Sequence, residues 1–333
     1  MKIAVVGAGA IGGFLGGWLA AAGEEITFIA RGPNLQAIRS RGLRVIGEDG
    51  SEVVGQGTAC EHPRDAGPQD VVLLTVKAHQ VVHVAAELVH LCHSETVIVT
   101  MQNGIPWWYF HRHGGPFDGR SIQAVDPTGA IGRAIDPGRL IGSVVYPAAV
   151  LVEPGVVRVV EGRRFSLGEP DGSMSPRARR VSESLTRAGF KAPVTAEVRN
   201  EIWLKLWGNL SFNPISALTH TTLAELLGFP LTRELTRNMM REAEAIAGAL
   251  GITFPVGMDK RIAGAEKVGD HKTSMLQDVE AGKPLELDAL VGAVVELGRM
   301  TDIPTPHIDA VYACARLLAE TLTRRKAKLA MPA

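Results

Sequence analysis

The first half of the chain alternates short, continuous apolar runs with longer stretches of helical spacing. Ile3–Val6, Ile26–Ile29, Val71–Val76 and Val97–Thr100 are runs of strand length with no polar alternation. Such runs suit a parallel sheet covered on both faces. Between them, Ile11–Ala22, Pro33–Arg41 and Gln80–Leu91 carry helical spacing. Strand-helix alternation of this kind predicts a doubly wound α/β sheet. From Ser143 to Leu167 the texture becomes short strands punctuated by Pro154-Gly155 and Gly162. Ser175-Pro176 then reads as a helix N-cap followed by proline at the first helical position, with Gly189 closing that helix.

After about Thr195 the pattern is helical. Glu197–Phe212, Leu231–Leu250, Asp259–Ala281, Leu285–Met300 and Ile308–Ala327 carry apolar residues at helical spacing, with glycine and proline mostly between them. The predicted architecture is α/β: a Rossmann-type domain over 1–195, then an all-α domain over 196–333.

The chain has 333 residues, which suits two domains of ordinary size. Its 35 basic and 35 acidic residues balance, which argues against a nucleic-acid protein. The most apolar stretch, Ile11–Gly23, is glycine-rich and too short to span a membrane. Lys2 leads directly into a strand, so the start does not read as a secretory leader. Cys60, Cys92 and Cys314 are odd in number and widely spaced, which predicts reduced thiols in a cytoplasm. His79 and His83 stand four apart with His90, Cys92 and His93 further on. No second ligand motif accompanies them, and a partly exposed helix face is the better reading than a metal site.

Gly7-Ala8-Gly9-Ala10-Ile11-Gly12 is a GxGxxG pattern that follows a predicted strand and opens a predicted helix. In that context it reads as a dinucleotide-binding turn. Gly7 permits the tight turn, Gly9 the approach of a pyrophosphate, and Gly12 close packing of helix on strand. The plain alternative is a glycine-rich packing helix, with Gly13, Gly16 and Gly17 continuing the series. Arg31 follows the second strand, 19 residues after Gly12. An arginine there suits the 2′-phosphate of NADP(H), where NAD sites carry Asp or Glu. Lys77 and Asn103 end two further strands, where ligands of open α/β sheets sit.

In the helical half, Lys205, Asn209 and Asn213 are spaced four and four within an otherwise apolar segment containing Trp203 and Trp207. A continuous helix makes them one polar stripe. A lysine there is either functional or a boundary residue whose stem covers apolar surface. Pro214 predicts a kink or end at Asn213. Ser274 precedes the Gly282-Lys283-Pro284 turn and Glu286 follows it, which predicts that both approach one end of a helical pair. By themselves, the hydroxyl of Ser274 and the carboxylate of Glu286 also fit local helix bonding.

Taken together and in order, these motifs resemble the ketopantoate reductase (2-dehydropantoate 2-reductase) family over essentially the whole chain. The quoted residues are the Gly7–Gly12 loop, Arg31, Val76-Lys77, Gln102-Asn103-Gly104, Lys205-x-x-x-Asn209-x-x-x-Asn213-Pro214, and Ser274-Met275-Leu276-Gln277-Asp278 with Glu286. That family is similar in fold to enzymes with a 6-phosphogluconate dehydrogenase-like helical domain. The resemblance implies NADPH-dependent reduction of 2-dehydropantoate to (R)-pantoate, on the route to pantothenate and coenzyme A, with no metal. It implies Lys205 as proton donor, supported by Glu286. It implies Asn103, Asn209, Asn213 and Ser274 as substrate contacts. Cofactor contacts carried over are Gly7, Ala8, Gly9, Ala10, Ile11, Gly12, Arg31, Lys77, Asn103, Ala148 and Glu286.

Two segments depart from the family pattern. After Asn103-Gly104 the chain runs through Ile105-Pro106-Trp107-Trp108-Tyr109-Phe110 into a long Gly/Pro-rich connection up to about Gly138. These aromatics read as packing or a subunit contact before substrate contact. Tyr146-Pro147 replaces a polar pair before Ala148, and Leu223, Ala224 and Glu225 stand where the family has a later asparagine. A family reductase acting on another 2-oxo acid or an imine is therefore the main alternative. A β-hydroxyacid dehydrogenase-type enzyme and a non-catalytic NADPH sensor are others. A small-molecule substrate is the expected partner, and a homodimer is a further expectation from the apolar helical half and the loop aromatics.

Overall fold

The computed structural model describes residues 1–325 and 329. It divides into two compact units: one of Met1–Gln102, Trp107–Ser121 and Asp126–Val198, the other of Asn103–Pro106, Ile122–Val125 and the chain from Arg199 onward.

In the first unit the sequence of elements is β1 (Lys2–Val6), α1 (Ala10–Ala21), β2 (Glu25–Ile29), α2 (Gly32–Arg41), β3 (Leu43–Ile46), β4 (Glu52–Gly55), β5 (Thr58–Cys60), β6 (Gln69–Leu74) and β7 (Cys92–Thr100). These are followed by α3 (Ala130–Ala134), β8 (Leu140–Val145), β9 (Ala148–Glu153), β10 (Val156–Glu161), β11 (Phe165–Gly168) and α4 (Pro176–Arg187). Seven strands form one sheet in the order β11-β8-β7-β6-β1-β2-β5. Only the β11–β8 pair is antiparallel. Counted within the sheet, the parallel strands run third, second, first, fourth, fifth, sixth, the order of a dinucleotide-binding sheet whose switch point lies between β1 and β6. The apolar runs are buried as their lack of alternation requires: Ala4, Val5 and Val6 are fully buried, as are Val72 and Leu74.

A second sheet, β4-β3-β10-β9, packs on the other side of α1. The glycines of α1 make this possible. A Cβ at Gly13 would come 2.7 Å from Val157, and one at Gly16, on the opposite side, would collide with Phe28. The helix is thus pressed between two sheets, and its glycine content serves packing as well as the turn that precedes it. The strands β3, β4 and β5 carry no strong apolar run and escape the sequence reading.

Gln80–Leu91 is not an α-helix. It forms two 3-10 segments, Ala78–His83 and Ala85–Leu91. Val81, Val82 and Val84 are β-branched and weaken α-helical preference there. The tighter winding puts residues three apart, not four, on one face, so His79 and His83 do not align. Among the described residues no group of His, Cys, Asp and Glu is arranged to hold a metal ion. The N-cap of α4 is as read: Ser175 Oγ accepts the Ala178 N–H at 3.1 Å.

The second unit contains α5 (Val198–Thr219, entering from the first unit), α6 (Leu223–Gly228), α7 (Pro230–Ala249), α8 (Met258–Glu266), α9 (Ser274–Ala281), α10 (Ala293–Met300) and α11 (Pro306–Arg325). The expected end at Asn213 is absent, because α5 continues through Pro214. Phe212, Ile215 and Ala217 are buried, and this packing outweighs the hydrogen bond that proline cannot make. The single helix expected over Asp259–Ala281 is broken between α8 and α9, where Gly269 takes a left-handed conformation and Thr273 caps α9. Residues 326 and 327 of the expected last helix lie outside the described residues. No helix among the described residues is long and apolar enough to cross a membrane.

The aromatics after Asn103 are chiefly packing groups. Trp108, Tyr109 and Phe110 are buried, and Trp107 half-buried. The Trp108 indole N–H donates to Thr100 Oγ1 at 2.9 Å. Its ring occupies the space that a side chain at Gly142 would need.

Candidate active site

In the first unit, the Gly7–Gly12 turn joins the carboxyl end of β1 to α1, at the switch point of the sheet. Gly7 has φ +104°, and a Cβ there would meet Val76 at 2.7 Å. A Cβ at Gly12 would collide with the Gly7 carbonyl oxygen. Gly9 is different. It is exposed, and nothing lies within 4 Å of where its Cβ would be. Gly9 is also the N-cap of α1 without a side-chain cap, so the first N–H groups of the helix have no intrahelical partner. An open glycine beside free helix N–H groups is the donor set that a pyrophosphate requires. The turn therefore fits a dinucleotide.

Three side chains given no structural role by the sequence reading hold this turn and the neighbouring strand ends in place. Thr75 Oγ1 donates to the carbonyls of Val6 or Gly7, at 3.0 and 2.9 Å. Asn34 donates to the Ala8 carbonyl at 2.6 Å and accepts the Gly155 N–H at 2.7 Å. Gln102 donates to the carbonyls of Leu74 and Val76 at 2.7 and 2.9 Å, tying the ends of β6 and β7 together. Short polar residues at strand ends are too common for sequence reading to single these out.

Arg31 is the N-cap residue of α2 and is exposed. Lys77 is half-buried at the start of a 3-10 turn. Ala148 is half-buried and begins β9, an edge strand of the second sheet. A cavity of about 460 Å³ lies elsewhere in this unit, near the amino ends of β7 and β8, lined by Thr96, Arg139, Arg177 and Arg180 among others. Arg177 is spent there on Glu169, and Arg139 on the carbonyl of His93.

In the second unit, α5 sets the geometry. Trp203 and Trp207 are fully buried one turn apart, and Trp207 stacks on Phe254 with ring centres 4.1 Å apart. The Trp207 indole N–H donates to the Met240 carbonyl at 2.8 Å. Two residues along from each tryptophan, the helix presents its other face, and there stand Lys205, Asn209 and Asn213. Lys205 Nζ donates to Asn103 Oδ1 at 2.5 Å. Its surroundings lower its pKa to about 8, because burial disfavours the ammonium while Glu286 partly restores it. Asn209 is half-buried, and Asn213 is buried with its Nδ2 lacking any hydrogen-bond partner among the described residues.

Glu286 immediately precedes the helical turns that lead into α10, and its carbonyl accepts the Leu290 N–H at 3.2 Å. Ser274 is the first residue of α9 and is exposed. It lies a helix length along α9 from the Gly282 turn that leads on to Glu286. The structure thus brings Lys205, Asn103 and Glu286 together. Of Leu223, Ala224 and Glu225, which stand where the family has a later asparagine, Glu225 is engaged in a capping box with Thr222.

Comparison with known proteins identifies the family. Residues 3–110 match the family model described as ketopantoate reductase PanE/ApbA, and residues 197–319 match that of its C-terminal domain. The chain is 54% identical to a 2-dehydropantoate 2-reductase of Mesorhizobium japonicum over 96% of its own length and 98% of the relative's. It is 30% identical to one from Archaeoglobus fulgidus, covering 89% and 90% of the two chains. A crystal structure from Ralstonia solanacearum, provisionally assigned as a ketopantoate reductase, superposes with a TM-score of 0.91 at 42% identity, covering 96% of this chain and 98% of that one. On its motifs, its fold and these relatives, the chain belongs to the ketopantoate reductase family of oxidoreductases.

Proposed function

We propose that this protein reduces 2-dehydropantoate to (R)-pantoate with NADPH, and that Lys205 donates the proton. The observation that carries the proposal is the Lys205 ammonium, bound to Asn103 and facing Glu286, with a pKa near 8. A proton donor works best when its pKa lies close to the working pH. At neutral pH Lys205 is mostly charged, yet it releases its proton far more readily than an exposed lysine.

Bound NADPH supplies a hydride for C2 of the oxo acid. The chain's own residues handle the charge that grows on the carbonyl oxygen. The Lys205 ammonium stabilises that oxygen and transfers a proton from Nζ to it, then regains one from solvent. Asn103 orients the ammonium, and Glu286 keeps it charged against the cost of burial. Asn209, Asn213 and Ser274 are assigned to the substrate's carboxylate and hydroxyl. For Asn213 the support is its buried Nδ2, since an unpaired buried donor is costly until an acceptor arrives. The Gly7–Gly12 turn takes the pyrophosphate. Arg31, exposed at the end of β2, takes the 2′-phosphate, with Lys77, Asn103, Ala148 and Glu286 as further cofactor contacts.

The test is NADPH oxidation with ketopantoate beside a panel of other 2-oxo acids, with Lys205→Ala as control. Efficient turnover of ketopantoate, lost in the variant, supports the proposal. A second reading, reduction of a different 2-oxo acid, draws on Leu223 and Glu225, which are engaged in burial and capping where the family has an asparagine. Preference for another acid in the same panel would favour it. The buried loop aromatics lend that reading no support, because Trp108, Tyr109 and Phe110 are packed inside the first unit.

A further inference from the structure

The helical segment that follows Glu286 opens with a π turn, Asp288–Gly292, in which the Ala293 N–H bonds to the Asp288 carbonyl five residues back. Such turns are rare and occur often at functional sites. On one side this turn holds the Asn103 loop. The Ala289 carbonyl accepts the Ile105 N–H at 2.9 Å. Gly104, at φ +85°, lies so close that a Cβ would collide with that same carbonyl oxygen. The residues directly after Asn103 therefore hang from the π turn, while Asn103 itself holds Lys205.

On its other side the turn is gripped by α11. Tyr312 O–H donates to Asp288 Oδ1 at 3.0 Å. Arg316 Nη1 reaches both oxygens of the same carboxylate, at 3.1 and 3.2 Å. The Tyr312 hydroxyl oxygen also stands 2.8 Å from where a Cβ at Gly292 would be. One hydroxyl thus touches the first and the last residue of the π turn. Burial, with Asp288 beside it, pushes the Tyr312 pKa up to about 12, so this hydroxyl remains a donor at any working pH.

We propose that Asp288, held by Tyr312 and Arg316, is a positioning residue: it sets the π turn whose Ala289 carbonyl registers the Asn103 loop on Lys205. Asp288 and Arg316 side chains are 47% and 42% exposed, and ion pairs so exposed add little stability. The cluster's consequence is therefore geometric. Its effect on turnover rests on the reading of Lys205 as proton donor, whereas the registration itself does not.

The experiment compares full-length wild type with Asp288→Asn, the milder Tyr312→Phe, and Arg316→Gln beside Arg316→Lys. The measurements are hydrogen exchange at the Ile105 amide, kcat and KM for ketopantoate, NADPH affinity by fluorescence, and the melting temperature. Asp288→Asn is expected to speed exchange at Ile105 about tenfold as its bond to Ala289 opens more often. It is expected to lower kcat about tenfold or more through displacement of Asn103, with NADPH affinity falling less than kcat because Asn103 is one of several assigned cofactor contacts. Arg316→Lys should recover part of what Arg316→Gln loses. Unchanged exchange at Ile105 in Asp288→Asn and Tyr312→Phe overturns the proposal. So does a lower melting temperature with wild-type exchange and kcat, the pattern of a merely structural contact. Turnover surviving in Lys205→Ala would remove the proton-donor reading alone, and exchange at Ile105 would still decide the registration.

Discussion

Lys205 donates a 2.5 Å hydrogen bond to Asn103, a residue 102 positions earlier in the chain. The pair joins a strand-end motif of the first half to a helix of the second. Both belong to the same compact unit, because Asn103–Pro106 leaves the sheet-containing part of the chain.

The first prediction concerns pH. On the proposed mechanism the ammonium is the competent form for reduction, and its pKa is lowered to about 8. Reductive kcat/KM should therefore fall as pH rises through about 8. Glu286→Gln removes the influence that raises this pKa, so the fall should move to lower pH. Rates measured from pH 6 to 10 check both; a profile flat to pH 10 would contradict the assignment.

Lys205→Met should separate activity from stability. Loss of the proton donor should cost about 10²–10⁴ in kcat. The folded state holds this lysine at a lower pKa than the unfolded chain does. The charged form is thus the disfavoured one below pH 8, and that cost fades only as pH rises toward the unfolded value. Replacing the charge with an apolar side chain should leave the melting temperature at neutral pH no lower than wild type. Calorimetry beside single-turnover kinetics reads both quantities.

Arg31→Ala tests cofactor choice. A charge-assisted hydrogen bond contributes about 1.5–3 kcal/mol, so the KM for NADPH should rise roughly ten- to hundredfold while that for NADH changes little. Equal loss with both cofactors would place Arg31 away from the 2′-phosphate.

The three motif glycines should behave differently. Gly12→Ala collides with the Gly7 carbonyl and Gly7→Ala combines a clash at Val76 with a positive φ, so both should impair folding. Gly9→Ala meets nothing within 4 Å and should fold normally. Its added methyl stands where the pyrophosphate is assigned, so NADPH affinity should drop. Circular dichroism and fluorescence titration distinguish the two outcomes.

The parallel sheet was legible because its strands are buried on both faces, which leaves uninterrupted runs such as Ala4-Val5-Val6. The Gly7–Gly12 turn was legible because backbone geometry there admits only glycine at particular positions. The stripe Lys205-Asn209-Asn213 was legible because helical spacing is periodic and its neighbours are apolar. Gln80–Leu91 misled because its apolar spacing fits an α-helix, while its β-branched valines weaken that preference. Pro214 did not end the helix, because a local rule for ending helices yields to the packing of Phe212, Ile215 and Ala217.

By itself, the order of residues determined the strand-helix alternation of the first half, the glycine turn after β1 and the line of polar groups along α5. These depend on neighbours within a few positions, where periodicity and backbone sterics act. Tertiary structure alone decided that Asn103 meets Lys205, that Ser274 stands at the far end of α9 from the Gly282 turn, and that Tyr312 and Arg316 grip the π turn beneath the Asn103 loop. These relationships join residues up to 102 positions apart, and the side chains that meet the π turn come from another helix. The pKa of Lys205 belongs with them, because desolvation and the field of Glu286 arise only when distant segments close around the amine.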